Sequence, residues 1–382
     1  MDARVNPVLI VGAGPVGAVC ALALQQQGIG AQVLEAQAGD ARGDSRTLAL
    51  SYGARLILER LGVWHRLHQV TPITRIHISQ RGAWGVARLA ADEVDVPALG
   101  YVLPYAALTR ALKQTLAEAG IVVKYEVAVA RVESGADLAT LHTATGDVSS
   151  ASMIVVADGG RGEAAPDPRF ARDYEQMAVV CEVETELPHA NQAFERFTPS
   201  GPAALLPKGD RYALVWTADT ADAVRIAGLP DAKFLAALYD HFGGRQGRFL
   251  SASPRKTFPL KLAYTSSEAQ ARIVRIGNAA QTLHPVAGQG FNIGLRDAWE
   301  LASLCGDTPR DALGGAAMMS AYARGRRVDV LGGVGFTDFL VRVFSNDLVP
   351  LRQARGFGLL ALEAFPSLKR FVARRMIFGA RG

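Results

Sequence analysis

The sequence predicts an α/β protein: a parallel-sheet nucleotide-binding domain, an inserted and mainly antiparallel sheet, and a helical C-terminal segment. Three observations predict it. An apolar run enters a glycine-rich turn at Val8–Gly17. A second strand-then-glycine segment, Ile276–Asp297, follows some 260 residues later. Between them, residues 173–265 change to short alternating apolar and polar runs, the period of half-buried antiparallel strands.

Val8–Val11 is apolar and β-branched, as suits a buried parallel strand. Gly12, Gly14 and Gly17 then give G-x-G-x-x-G. Gly12 permits the tight turn, Gly14 lets backbone approach a pyrophosphate, and Gly17 lets the next helix pack on the strand. That helix, Pro15 to about Gln27, aims its first N–H groups at the phosphates. Gln32–Glu35 reads as the second strand of a Rossmann-like unit. Glu35 ends it 18 residues after Gly17, where an acid accepts hydrogen bonds from ribose hydroxyls. This segment fits FAD and NAD alike.

Helical spacing then predicts helices over Leu48–Leu61 and Thr109–Ala119. Val122–Val132 and Leu138–Thr143 read as strands with a turn near Gly135, and Ala151–Asp158 as a buried strand before Gly159. Pro166-Asp-Pro168 marks a boundary. The alternating runs are Ala178–Glu184, Phe194–Thr198, Tyr212–Thr217 and Thr257–Leu262, with a helix at Asp231–Phe242. Arg272–Ile276 returns to a buried strand, Phe291–Cys305 is helical, and so is the remainder. The domain organisation so read is a nucleotide-binding domain in three parts (1–72, 97–172, 269–325) and substrate-domain strands at 73–96. The main substrate domain is 173–268, and a helical basic segment covers 326–382.

Composition narrows the class. The chain has 382 residues and an ordinary apolar fraction, with no stretch of the roughly 18–20 apolar residues a membrane span needs. No basic segment followed by an apolar core marks a secretory signal. Cys20, Cys181 and Cys305 are odd in number and widely spaced, which suggests a reducing compartment without disulfides. The seven histidines show no metal-ligand spacing, so no metal is expected. Of the net charge of +5, residues 342–382 carry +6 and the rest −1. The basic tail is therefore local and gives no reason to expect nucleic acid.

Gly277-Asn278 follows a strand, as Gly12 does, and a helix beginning near Gly290 aims its positive end at whatever precedes it. On a flavin that would be the N1–C2=O edge, which becomes negative on reduction. An ordinary helix N-terminus with a glycine-rich turn is the alternative for this segment alone. Taken with the N-terminal motif, it points to FAD.

With these segments in place, the chain resembles the aromatic-ring flavin monooxygenases of the para-hydroxybenzoate hydroxylase type. The family's marks are Gly12–Gly17, Asp158-Gly159 and Gly277-Asn278 with His284-Pro285 and Gly288-Gln-Gly290. The ubiquinone-biosynthesis branch matches best, through Ser45–Ser51, Asp173–Gln176, Glu195–Thr198 with Gly201-Pro202, Leu206-Pro207, Leu214–Trp216, Gly277–Asp297, Pro366–Lys369 and Ala373–Arg375. Gly-Asn-Ala-Ala-Gln-Thr-Leu-His-Pro looks like the 2-polyprenyl-6-methoxyphenol hydroxylase subgroup. Three positions depart from the family: Gly162 where a Ser is usual, no Arg within Leu103–Ala106, and Asn278 in place of a carboxylate.

The resemblance implies an FAD-dependent monooxygenase that hydroxylates a polyprenylated phenol, NADPH or NADH reducing the flavin and a C4a-hydroperoxide delivering oxygen from O₂. It places Gly12, Gly14, Pro15, Gly17, Glu35, Arg46, Asp158, Gly277, Asn278, Pro285, Gly288, Gln289, Gly290, Phe291 and Asn292 at the FAD. Without an Arg at 103–106, Arg46 becomes its main cationic partner. His284, beside Pro285, is the candidate base or a loop-orienting residue. Arg196, Phe197, Leu206 and Trp216 are candidate substrate contacts or core. No second G-x-G-x-x-G is present, so the nicotinamide has no domain of its own. The basic, aromatic C-terminal segment is either a cap over the flavin domain or a docking face for an anionic membrane or another biosynthetic enzyme. That makes the protein cytoplasmic, free or peripheral on the inner face of the cell membrane. Three other functions share these features: a polyprenyl reductase, a halogenase (though no two tryptophans stand two apart) and a flavin-binding scaffold without turnover.

Overall fold

The computed structural model describes residues 7–39, 46–82, 85–160, 162, 170–198, 201–264, 271–282, 289–344 and 349–379. Val8–Val11 is wholly buried and lies at the centre of a parallel sheet. The sheet order is Ile273–Arg275, Met153–Val156, Val8–Val11, Ala31–Leu34, Val123–Lys124. Strands buried on both faces need apolar side chains throughout, and Met153–Val156 supplies them as Val8–Val11 does. Helix Pro15–Gln26 packs on this sheet together with Gln289–Gly306, their side chains sharing one core. Met153–Val156 and Ile273–Arg275 enter from far along the chain, so the domain closes only after the intervening chain returns.

Two sequence expectations are corrected. Leu48–Ser51 is a strand, because Thr47–Ser51 pairs antiparallel with Gly100–Pro104. The helix begins only at Tyr52, capped by Ser51, whose Oγ accepts from Ala54 N at 3.2 Å. The expected strand over Val122–Val132 breaks in two, Val123–Lys124 and Val129–Ser134. Glu126, with φ of 61°, turns the chain between them.

The inserted chain forms a largely antiparallel sheet of nine strands among the described residues. Its main path runs Gln281–Thr282, Lys256–Tyr264, Phe170–Thr185, Arg211–Asp219, Gly201–Lys208, Gln192–Thr198, Arg75–Gln80, Val86–Ala90, and Phe249–Ala252 pairs with Phe170–Thr185 beside it. Only Gln192–Thr198 and Arg75–Gln80 pair in parallel along this path. One face packs under helices Thr220–Ala227 and Asp231–Phe242, burying Val179, Leu205, Leu214, Trp216, Phe234 and Leu238. The other face looks toward the parallel-sheet domain across a cavity.

Three helices end the chain: Ala316–Phe344, Val349–Ala364 and Pro366–Phe378. Glycines let the last two dock closely. A Cβ on Gly53 would lie 2.5 Å from Ile377 O, and one on Gly85 would lie 2.2 Å from Gly356 O. Lys369 is buried between Glu93 (3.0 Å) and Glu363 (3.3 Å), tying the last helix down. Among the described residues no helix is long and apolar enough to cross a membrane. The three cysteines are buried and unpaired, and burial pushes the Cys181 and Cys305 thiols up to about 12.

Candidate active site

Each glycine of the first turn has its own steric reason. Gly12 has φ of 102°, and a Cβ there would sit 2.6 Å from Ala157 O. A Cβ on Gly17 would lie 2.0 Å from Gly12 O, so the helix packs on the turn only without one. Gly14 differs: its Cβ would meet nothing within 4 Å, because it borders an open cavity. That space at a helix N-terminus, bordered by bare backbone, is what a pyrophosphate needs.

The cavity has a volume of about 1300 Å³. Pockets for one small molecule usually hold about 300–1,000 Å³, so this one has room for a dinucleotide and part of a second ligand. Its polar end is lined by Gly12, Gly14, Pro15, Glu35, Arg46 and Asp158. Glu35 accepts from Ala13 N at 2.7 Å and from Gln37 N at 3.0 Å, which fixes its carboxylate beside the glycine turn. Arg46 stacks over the Tyr105 ring at 5.1 Å, and Tyr105 N donates to Arg46 O. A tyrosine thus carries the cation at the segment that lacks an arginine of its own. Asp158 accepts from Gly160 N (2.9 Å) and Gly162 N (3.1 Å), holding the turn that follows its strand. A glycine serves at 162 because the contact uses backbone alone.

Gly277, Asn278, Gln289, Gly290, Phe291 and Asn292 line the middle of the cavity. Asn292 Nδ2 donates to Ala49 O (3.1 Å), and its Oδ1 accepts from Ser51 N (2.9 Å). It therefore pins the edge strand to the helix start. Gly17 lies behind the lining, against Gly12. His284, Pro285 and Gly288 lie outside the described residues.

One buried group was not singled out from sequence. Asp297 Oδ2 accepts from Gly277 N (3.1 Å) and Gln281 Nε2 (2.8 Å). Its Oδ1 meets Arg326, only 2% exposed, at 2.7 Å. Arg326 also reaches Asp329 (2.8 Å) and Glu300 (3.1 Å), and Arg296 reaches Asp329 at 2.8 Å. Burial opposes the Arg326 charge, but Asp297, Tyr322 and Asp329 outweigh it and hold its pKa up. The network fixes the Gly277 turn to helix Gln289–Gly306. The partners of Asp297 lie 16 to 29 residues away along the chain, so no local pattern exposes it.

The apolar end of the cavity is the open face of the inserted sheet, with Ile76, Ile78, Phe197, Leu206 and Val215, closed by Leu359, Leu362, Val372 and Met376 from the C-terminal helices. Of the four residues expected at the substrate, Phe197 and Leu206 line this wall and Arg196 and Trp216 do not. Trp216 lies under the helices, 4.6 Å from the His241 ring. Arg196 donates to Ser79 Oγ at 3.3 Å. Strand alternation is the reason: Glu195 and Phe197 point one way, Arg196 the other. Glu195 does line the cavity, and the sequence reading passed over it. It is half-buried, and desolvation pushes its carboxyl up to about 8. A carboxyl flanked by alternating apolar residues was the available signal.

A family profile described as FAD binding domain matches residues 6–327. The chain is 33% identical over 385 residues to ubiquinone hydroxylase UbiL of Rhodospirillum rubrum, covering 97% of this chain and 89% of that protein. It is 30% identical to the 3-demethoxyubiquinol 3-hydroxylase of Escherichia coli K12, covering 97% and 98%. Among solved structures, Klebsiella pneumoniae HpxO complexed with FAD and uric acid superposes with a TM-score of 0.77 at 19% identity, over 100% of this chain and 99% of that one. That likeness shows the fold.

Proposed function

The chain belongs to the FAD-binding-domain family, among the FAD-dependent hydroxylases of ubiquinone biosynthesis, and from that premise we propose that it hydroxylates the ring of a polyprenylated phenol with NADPH or NADH and O₂. The observation that carries this reading is the single cavity. It runs from bare backbone at Gly14, past the Gly277 turn and the helix start at Gly290, to an apolar wall of Ile76, Ile78, Phe197, Leu206 and Val215.

Bound FAD would carry reducing equivalents from the nicotinamide to O₂ and deliver one oxygen atom to the ring. The protein's part is position and electrostatics. Gly12, Gly14 and the helix from Pro15 bind the pyrophosphate, Glu35 takes the ribose hydroxyls, and Arg46 on Tyr105 supplies positive charge. Asn278, Gln289, Gly290, Phe291 and Asn292 hold the ring end, with Pro285 and Gly288 as further contacts the family resemblance implies, and the start of helix Gln289–Gly306 favours a reduced, anionic flavin. Asp158 holds the Gly159-Gly160 turn that borders the cavity. Phe197 and Leu206 face the substrate, and the apolar wall excludes water that would waste activated oxygen. His284 is kept as a candidate for orienting the substrate hydroxyl.

Leu368 both lines the cavity and is exposed, so it marks the mouth. Around it Phe357, Phe365 and Phe371 are exposed beside Arg370 and Arg374. We place this face on an anionic membrane surface, each basic residue adding roughly 1 kcal/mol there. A prenyl chain could then pass directly from lipid into the cavity.

The test is the visible spectrum of the purified protein under anaerobic NADPH, with and without a prenylated methoxyphenol, followed by O₂ uptake and product mass. Flavin that bleaches faster with the phenol and a product heavier by one oxygen support the reading. Bleaching without oxygen insertion favours a reductase, and flavin that never bleaches favours a scaffold.

A further inference from the structure

Among the described residues, the apolar wall contains one carboxyl. Glu195 sits on strand Gln192–Thr198, opposite Ala204 on one neighbouring strand and Ile78 on the other. Val215 lies one strand further, paired to Ala204, and Phe197 is next on the same face of its own strand. Among the described residues Glu195 has no hydrogen-bond or ion-pair partner, and its open side gives onto the cavity. The other ionisable side chains lining the cavity, Glu35, Arg46, Tyr105 and Asp158, belong to the dinucleotide end. Arg196 and His77 come from the same pair of strands but point through to the opposite face. An unpaired carboxyl in an apolar wall costs stability, so it needs a reason to be there.

We infer that Glu195 is the catalytic base of this site, the group that takes the proton from the hydroxyl of the bound phenol. This rests on the phenol-hydroxylase reading above. The phenolic O–H bond breaks and an O–H bond forms on Glu195. The electron pair stays on the phenol oxygen and enriches the ring that receives oxygen. When oxygen transfer is complete, the proton returns to the product hydroxyl, and Glu195 is again a carboxylate. No oxidant or reductant is involved in the step.

The surroundings suit the task. A phenol like that of tyrosine has a pKa near 10, and an ordinary glutamate near 4.3, so an ordinary carboxylate would be a poor acceptor. Desolvation lifts Glu195 to about 8, which narrows the gap to about two pH units. His77 and His241 are pushed down to about 4 and about 3 by burial, with nearby arginines adding to it, and both lie on the far face of the sheet.

The experiment uses FAD-loaded wild type, E195Q, E195D and E195L. The first readout needs no turnover: 4-nitrophenol, acidic enough to compete with such a carboxyl, is bound to the oxidised enzyme and its phenolate absorption followed against pH. We expect bound probe to ionise at lower pH in wild type and E195D than in E195Q. The second readout is the pH profile of phenol hydroxylation. The wild-type rate should rise with pH through about 8, because the base must be ionised. E195Q should lose this limb and ~10²–10⁴-fold in rate, with partial return in E195D. E195L, which removes an unpaired, half-buried carboxyl from an apolar wall, should keep FAD and melt no lower than wild type. Identical probe ionisation in wild type and E195Q, failure of wild type to bind the probe, or an unchanged rate profile in E195Q overturns the inference. A wild type that reduces its flavin yet hydroxylates no phenol overturns instead the reading it rests on.

Discussion

Gly14 and Gly17 stand three residues apart in one motif, yet replacing each with alanine should have opposite consequences. At Gly17 the new Cβ would lie 2.0 Å from Gly12 O, where ordinary contact begins at 3.4 Å. Helix and turn must separate by more than an ångström, and both sides of the contact are backbone. Overpacking of this kind costs about 1–3 kcal/mol. For a chain of 382 residues, with unfolding entropy of roughly 2 cal/mol/K per residue, that lowers the apoprotein Tm by roughly 1–4 °C. At Gly14 the Cβ meets nothing within 4 Å, and its φ of −62° and ψ of 171° suit alanine. G14A should leave the apoprotein unchanged or raise its stability by about 0.4–1 kcal/mol. Its methyl nevertheless occupies the space left for the pyrophosphate, so FAD affinity should fall ten-fold or more, about 1.4 kcal/mol per decade. Differential scanning fluorimetry of the apoproteins and FAD titration by flavin fluorescence separate the two effects. G14A binding FAD like wild type, or G17A melting like wild type, would refute the assignment of the cavity's polar end.

The buried ion network gives a second prediction. R326M leaves Asp297, Asp329 and Glu300 without a shared cation and should cost about 3–5 kcal/mol at pH 7. In wild type, burial opposes ionisation of Asp329, but Arg296 and Arg326 outweigh it and hold its pKa below the usual value. Such a depressed acid stabilises the fold above its unfolded pKa, near 3.9, and that support drains away as pH falls through the folded value. Melting scans from pH 7 to 4 should therefore narrow the gap between R326M and wild type, because orphaned carboxylates can protonate; a constant gap contradicts this. L206W should fill the apolar end while leaving the dinucleotide end open. The protein would then stay yellow, and substrate-stimulated NADPH oxidation should drop ten-fold or more. Equal replacement of Phe357 and Phe371 by serine should weaken sedimentation with anionic vesicles several-fold, and high salt should weaken the wild type too.

The glycine-turn end of the cavity was legible in the sequence because its grammar is local. Val8–Val11, the three glycines, Pro15 and Glu35 fall within 35 residues, and each acts through backbone geometry or position on one βαβ unit. Gly277 and the helix after Gly288 repeat the same strand-to-turn pattern. Leu48–Ser51 was not legible as a strand: its partner, Gly100–Pro104, lies some 50 residues away, and its own side chains fit a helix as well. The Asp297–Arg326 contact likewise joins residues that only packing brings together.

The apolar wall of the cavity shows the limit most clearly. Along Phe194-Glu-Arg-Phe197 and Leu214-Val-Trp216 both strand faces carry large apolar residues, because both faces of this sheet are covered. Period-two alternation therefore says which residues share a face, but not which face borders the cavity. The sequence by itself determined the alternation, the glycine-rich turns and the family. The tertiary structure decided that helices Thr220–Ala227 and Asp231–Phe242 cover one side, taking Trp216 with them. That left Glu195, Phe197 and Leu206 facing the cavity, since a strand's register is intrinsic to its residues while the cover on each face comes from chain far away.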